Sequence, residues 1–244
     1  MPPAHERRLA VSLDETSPVS AAVVAPMLLT LTGARSVLDV GCGTGAWLLA
    51  FERLGIGDTF GIDSMRDEFA PERRPERFRA VDLEAGFSLD RQFDLAVCLE
   101  VAEHLPASSA ERIVDALVNA APVIAFSAAI PDQGGIDHLN EQWPSYWREL
   151  FEAKDYRQHD VVRPAIWFDE RVAYWYRQNL FVYAIDGWGP VNPIGSQDIR
   201  DWVVHPEMYK AAISRSAQKA GLGSLIRSFP GAIANSLRAR RRGQ

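Results

Sequence analysis

Residues 36–47 read SVLDVGCGTGAW. Three glycines, Gly41, Gly43 and Gly45, crowd the turn behind an apolar run broken only by Asp39. A helical pattern, GAWLLAFERLG (45–55), comes directly after. A short apolar run, a glycine turn and a helix make the opening unit of an α/β sheet, with a ligand site at the carboxyl end of the strand. Glycines there permit positive φ and let a ligand approach the backbone closely.

The same alternation continues along the chain. FGID (60–63), RFRAVDL (77–83), FDLAVCLE (93–100) and PVIAFSAA (122–129) read as further strands. Residues 17–32 read as a helix with Pro26 as its boundary or kink, and Ser108 with Glu111 forms a capping box opening a helix that ends near Ala120. Strands alternating with helices predict a parallel sheet with right-handed crossovers. Beyond residue 130 the pattern changes. PDQGGIDHLNEQ (131–142) is turn-rich, and WPSYWRELFEA is helical, with Trp143, Trp147, Leu150 and Phe151 on one stripe. HDVVRP and WYRQNLFVYAI read as two antiparallel strands at the sheet edge, and GWGPVNPIGS (187–196) as loop. No linker divides the chain. The expectation is one domain over 1–244, with a cofactor-binding core at about 35–130, acceptor-side elaborations at about 131–225 and a basic tail at 226–244.

Composition narrows the class. With 244 residues and 47% hydrophobic content, the chain can bury one sizeable core. No apolar run is long enough to span a bilayer, and the charged N-terminus does not read as a signal peptide. Two cysteines, Cys42 and Cys98, form no disulfide framework, which favours a cytoplasmic location and a role as small apolar fillers. A net charge of −6 argues against a general grip on nucleic acid, the arginine-rich tail (Arg238, Arg240, Arg241, Arg242) being the exception.

Asp39 bears on the ligand. Gly41, Gly43 and Ala46 satisfy the loose G-x-G-x-x-A dinucleotide pattern, but a carboxylate two residues ahead adds negative charge where a pyrophosphate would sit. A cationic, phosphate-free ligand reverses the sign, and S-adenosylmethionine is one. The plainer alternative is that Asp39 caps loop amides. Asp63 ends the second strand, where a carboxylate can accept from both ribose hydroxyls; a dinucleotide enzyme would also place an acid there. Asp82 can meet an adenine amino group, with Leu83 on the ring, or serve as a surface turn acid.

VLDVGCGTG, GID, VDLE and FDLAVCLEVAEHL, in that order, resemble class I S-adenosylmethionine-dependent methyltransferases. The resemblance spans residues 35–130 and extends weakly to about 185. It implies a Rossmann-like, doubly wound seven-stranded sheet, mostly parallel with an antiparallel edge strand, and a cofactor site lined by Asp39, Gly41, Gly43, Gly45, Asp63, Asp82, Leu83 and Leu99.

After the fourth strand, Glu100, Glu103 and His104 share one face if CLEVAEHLP turns helically. Two carboxylates and an imidazole can bind a divalent ion, and His138, in the loop after strand five, can complete the set. E-x-x-E-H with a later histidine resembles the metal site of small-RNA 2′-O-methyltransferases, and E-x-x-E-H alone is similar to ubiquinone-pathway O-methyltransferases. The resemblance implies Mg²⁺ or Mn²⁺ at Glu100, Glu103, His104 and His138, orienting a hydroxyl. His138, His104 and Glu100 are the catalytic candidates; without metal, His138 or His104 is the leading general base. His5, His159 and His205 stand apart as structural histidines.

The aromatic stripe of 143–151 either walls an acceptor pocket or is core, and Trp188 with Asn192 is a candidate lid. DHLNEQWPSYWRELFEAKDY is similar to a segment of bacterial glycan and secondary-metabolite methyltransferases, including those of methylated mannosides. The expectation is an O-methyltransferase acting on a small-molecule hydroxyl, a sugar or glycan precursor, with no nucleic-acid or membrane partner and room for a homodimer. The alternatives are a metal-independent N- or carboxyl-methyltransferase and a non-catalytic cofactor-binding module. A nicotinamide-dependent oxidoreductase is disfavoured by Asp39.

Overall fold

The structure is a computed structural model that describes residues 4–64, 75–191 and 203–219. Strands β1 (Ser36–Val40), β2 (Asp58–Asp63), β3 (Phe78–Ala80), β4 (Leu95–Leu99), β5 (Val123–Ser127), β6 (Tyr156–His159) and β7 (Phe181–Ile185) form one sheet in the order β3-β2-β1-β4-β5-β7-β6. The pairings from β3 through β5 are parallel, and β7 runs antiparallel to both β5 and β6. The expected seven-stranded, mostly parallel sheet is therefore present. Its antiparallel strand lies one place in from the edge that β6 forms.

Helices cover both faces: α1 (Ala4–Thr32) and α2 (Ala46–Arg53), α3 (Ala110–Ala120) and α4 (Pro144–Glu152), with the short α5 (Arg163–Ile166) and α6 (Tyr174–Asn179) before β7. Successive strand residues point to opposite faces. Val37, Leu95, Val97, Val123, Ala125 and Val182 pack on one side with α1 and α2. Leu38, Ala96, Cys98, Ile124, Phe126, Phe181 and Tyr183 pack on the other with α3 and α4. Burial on both faces is why these strands read as apolar runs without alternation. Residues through His205 form one compact unit, and the helix α7 (Pro206–Lys219) belongs to a second.

Four local readings are corrected. Helix α1 continues through Pro18 and Pro26, because Ala21, Val24, Ala25, Leu28 and Leu31, spaced by three and four, are wholly buried and hold it against the sheet. The Ser108–Glu111 capping box does not form. A single 3₁₀ turn, Ala107–Ser109, precedes α3, Ser109 occupies the cap position, and its hydroxyl takes a hydrogen bond from Arg112 instead. HDVVRP is not a strand. β6 stops at His159, where Arg163 turns back on Asp160 through Nε at 2.9 Å and donates to the Gln178 carbonyl at 2.9 Å, all in a buried setting. WYRQN is helical, and only FVYAI continues as strand.

Two members of the aromatic stripe, Trp147 and Phe151, are core, and Leu150 packs half-buried against their cluster. Trp147 and Phe151 are buried against Phe126, and Phe151 stacks on Tyr183 with centroids 4.0 Å apart. Replacing Phe151 with Ala should lower the free energy of unfolding by about 3–5 kcal/mol in urea denaturation. A loss below about 1 kcal/mol would show that the ring supports no core.

Candidate active site

The glycine turn leaves β1 with Gly41 at φ 75°, Gly43 at φ 50° and Gly45 at φ 93°. Gly41 is required twice over, since a Cβ there would lie 2.4 Å from the Val101 side chain. The turn is tied to β2 by the Gly41 and Cys42 amides, which donate to the Ile62 carbonyl at 2.8 and 3.2 Å. Asp63, nearly buried at the end of β2, accepts the Gly43 N–H at 2.8 Å. Cys42 fits against Gly61, where a Cβ would meet its sulfur at 2.8 Å. Asp39 is buried beneath the turn. Asp82 is exposed and accepts the Glu84 amide at 3.0 Å, so in this structure its carboxylate holds the turn, while Leu83 beside it is buried. Leu99 ends β4 within the core.

The chain then turns sharply. Glu100 sits at φ 56°, a left-handed conformation that costs a non-glycine residue about 1–3 kcal/mol and persists only where the surroundings enforce it. They do: its amide donates to the Ser127 carbonyl at 3.0 Å, and its carboxylate accepts from Gln133 Nε2 at 2.8 Å and Asn179 Nδ2 at 3.1 Å. Asn179 also donates to Gln133 Oε1 at 2.9 Å, closing a buried triangle between β4, the 131–142 loop and the end of α6. Gln133 and Asn179 carry no motif that marks them in the sequence.

A 3₁₀ turn, Ala102–His104, aims the next two side chains. Glu103 is wholly buried, and among the described residues neither carboxyl oxygen has a hydrogen-bond partner of good geometry. Burial, and then the neighbouring Glu100 carboxylate, push its pKa well above the usual carboxylate range. Burial lowers His104 to about 4, helped by His138 and opposed by Asp137 and Asp63, so its imidazole is neutral at physiological pH. The His104 and His138 rings meet edge to face, centroids 5.0 Å apart. Glu103, His104 and His138 each offer a ligand atom within 4.8 Å of the others. Glu100 falls outside that trio, engaged by Gln133 and Asn179.

The cluster and the glycine turn both follow the carboxyl ends of parallel strands, β4 and β1. Asp63 acts on His104, and both Glu103 and Asp39 act on Cys98, whose fully buried thiol is pushed well above its ordinary value first by burial itself. A thiol so placed is no nucleophile. His159 packs on Trp188 at 5.1 Å, and the His205 ring meets the Trp167 carbonyl at 2.9 Å, both away from the cluster. Trp188 is thus engaged with His159, while Asn192 and the basic tail lie outside the described residues. Among the described residues no helix is long and apolar enough to cross a membrane.

A family profile described as a methyltransferase domain matches residues 10–159 of this chain. None of the curated proteins compared with the chain matches it. Among solved structures, DesVI of Streptomyces venezuelae superposes with a TM-score of 0.55 at 17% identity, covering 73% of this chain and 96% of its own. The sugar N-methyltransferase KedS8 of a Streptoalloteichus species also reaches a TM-score of 0.55, at 18% identity over 70% of this chain and 89% of its own. At these identities the likeness is one of fold.

Gly41→Ala should destabilise the chain by more than about 2 kcal/mol, from positive φ and the collision with Val101 together. Adding Val101→Ala should recover part of that loss in urea unfolding. Full recovery, or no loss at all, would contradict the strained turn described here.

Proposed function

This chain belongs to the class I S-adenosylmethionine-dependent methyltransferases, and we propose that it transfers the methyl group to a hydroxyl of a small molecule, a sugar or glycan precursor. The observation that supports this reading is the cluster of Glu103, His104 and His138, with ligand atoms within 4.8 Å of one another.

The residues present fit the cofactor. Two nearly buried carboxylates, Asp39 and Asp63, flank the glycine turn, and such a setting suits an ammonium group and ribose hydroxyls better than a diphosphate. Asp63 has a second task, holding the turn through Gly43. Reaction at a methyl group needs no covalent intermediate on the protein. The chain has to align donor and acceptor and to manage one proton.

The cluster also fits a divalent cation. An ionised carboxylate buried this way is costly unless a proton or a facing cation neutralises it. A neutral His104 keeps its lone pair for a ligand bond, and the two-imidazole, one-carboxylate set suits Mn²⁺ or Fe²⁺ better than Mg²⁺. A bound cation would supply Lewis acidity, lowering the pKa of an acceptor hydroxyl. Glu103, His104 and His138 would hold it; Glu100 would brace Glu103 from the side. As a general base on its own, a histidine lowered to about 4 is poorly matched to neutral pH, which weakens the metal-free reading for His104.

The competing acceptor is an amine. KedS8, a sugar N-methyltransferase, shares the fold and keeps that possibility attached to the same saccharide class. Chelation separates the two. With labelled donor and a panel of mono- and disaccharides, EDTA should abolish turnover and Mn²⁺ or Mg²⁺ should restore it. Turnover untouched by EDTA, with label on an amine, would contradict hydroxyl transfer.

A further inference from the structure

We propose that Glu141 is a positioning residue that fixes the tautomer and aim of His138. Its functional consequence rests on the reading of His138 as part of the acceptor-preparing cluster; its structural content does not.

The Glu141 carboxylate gathers three donors. Oε1 lies 2.7 Å from the Gly134 amide and 2.8 Å from His138 Nδ1, and Oε2 lies 2.9 Å from the Asp132 amide. A carboxylate only accepts, so Nδ1 has to carry the hydrogen, and a neutral ring then keeps its lone pair on Nε2. Without such a partner an imidazole side chain favours the opposite tautomer.

The loop is wound to make this contact. Asp132, Gly134 and Asp137 stand at φ 66°, 64° and 56°, so two non-glycine residues are held in the left-handed region. That winding turns the Asp132 and Gly134 amides back onto a carboxylate nine and seven residues further along. Gly135 is bare for a reason: a Cβ there would come within 2.0 Å of His138 Nε2, the nitrogen that keeps the lone pair. From the other side, the Leu139 and Asn140 amides donate to the Glu103 carbonyl at 2.7 and 3.0 Å. His138 is thereby referenced to Glu103, whose carboxyl joins the same cluster. A carboxylate behind Nδ1–H fixes which ring nitrogen keeps the lone pair and where it points.

The tautomer is read directly in the ¹⁵N-labelled full chain, with no metal or acceptor added. Two-bond proton–nitrogen correlation at neutral pH should show His138 protonated at Nδ1 and bare at Nε2, the signal being assigned by its loss in His138→Ala. Glu141→Ala should move His138 toward the Nε2–H form. Glu141→Gln, whose amide oxygen can still accept Nδ1–H, should hold the wild-type tautomer. In turnover, Glu141→Ala should lower kcat about 10- to 100-fold with KM for S-adenosylmethionine unchanged, and Glu141→Gln should recover most of the loss. A wild-type ring protonated at Nε2, or a Glu141→Ala spectrum identical to wild type, overturns the proposal. The wild-type spectrum alone decides it if the variants do not fold. A wild-type Nδ1–H tautomer in an enzyme indifferent to EDTA would support Glu141 and sink only the cation.

Discussion

A carboxyl group wholly inside the protein, pressed by a neighbouring carboxylate and flanked by two imidazoles, is the constraint around which this site is organised. Glu103 occupies that position, with Glu100 pressing its pKa upward and two imidazoles beside it. Burying an ionised carboxylate is expensive unless it is neutralised by a proton or by a cation. The surrounding structure keeps Glu103 there. The chain reverses at Glu100 in a left-handed conformation, a 3₁₀ turn aims Glu103 and His104, and the 131–142 loop is bound to the Glu103 carbonyl.

The parallel sheet supplies the convergence. Strands β1, β2, β4 and β5 all end on one side, so Asp39, Asp63, Glu100 and the loop carrying His138 meet although they are far apart in sequence. Two carboxylates stand at the glycine turn, and the grouping of Glu103, His104 and His138 follows β4 on the same side of the sheet.

Much of this was legible in the residues themselves. Strands buried on both faces, such as VLDV and LAVCL, announce themselves as apolar runs, and the glycine turn behind Asp39 marks the first of them as the floor of a ligand site. The edge was harder. β6 reads YRQH because only alternate residues are buried, so its signal is weak, and the aromatic WYRQN resembles a strand although tertiary packing winds it as α6. Pro26 was overruled by the buried stripe on its own helix. At the site, Glu103, His104 and His138 were visible as metal-ligand types at suggestive spacing. Gln133, Asn179 and Glu141 were not. Asn179 reaches Glu100 across 79 residues, and Glu141 gathers the Asp132 and Gly134 amides as well as His138 only because the loop coils back on itself.

The most direct measurement is of the cation itself. Crystals of the full chain soaked in Mn²⁺ should show an anomalous peak at bonding distance, about 2.0–2.3 Å, from Glu103, His104 and His138, with Glu100 remaining bound to Gln133 and Asn179. No peak there under saturating Mn²⁺, or one coordinated by Asp63 and the glycine turn instead, would contradict the assignment of this cluster as a cation site serving a hydroxyl acceptor.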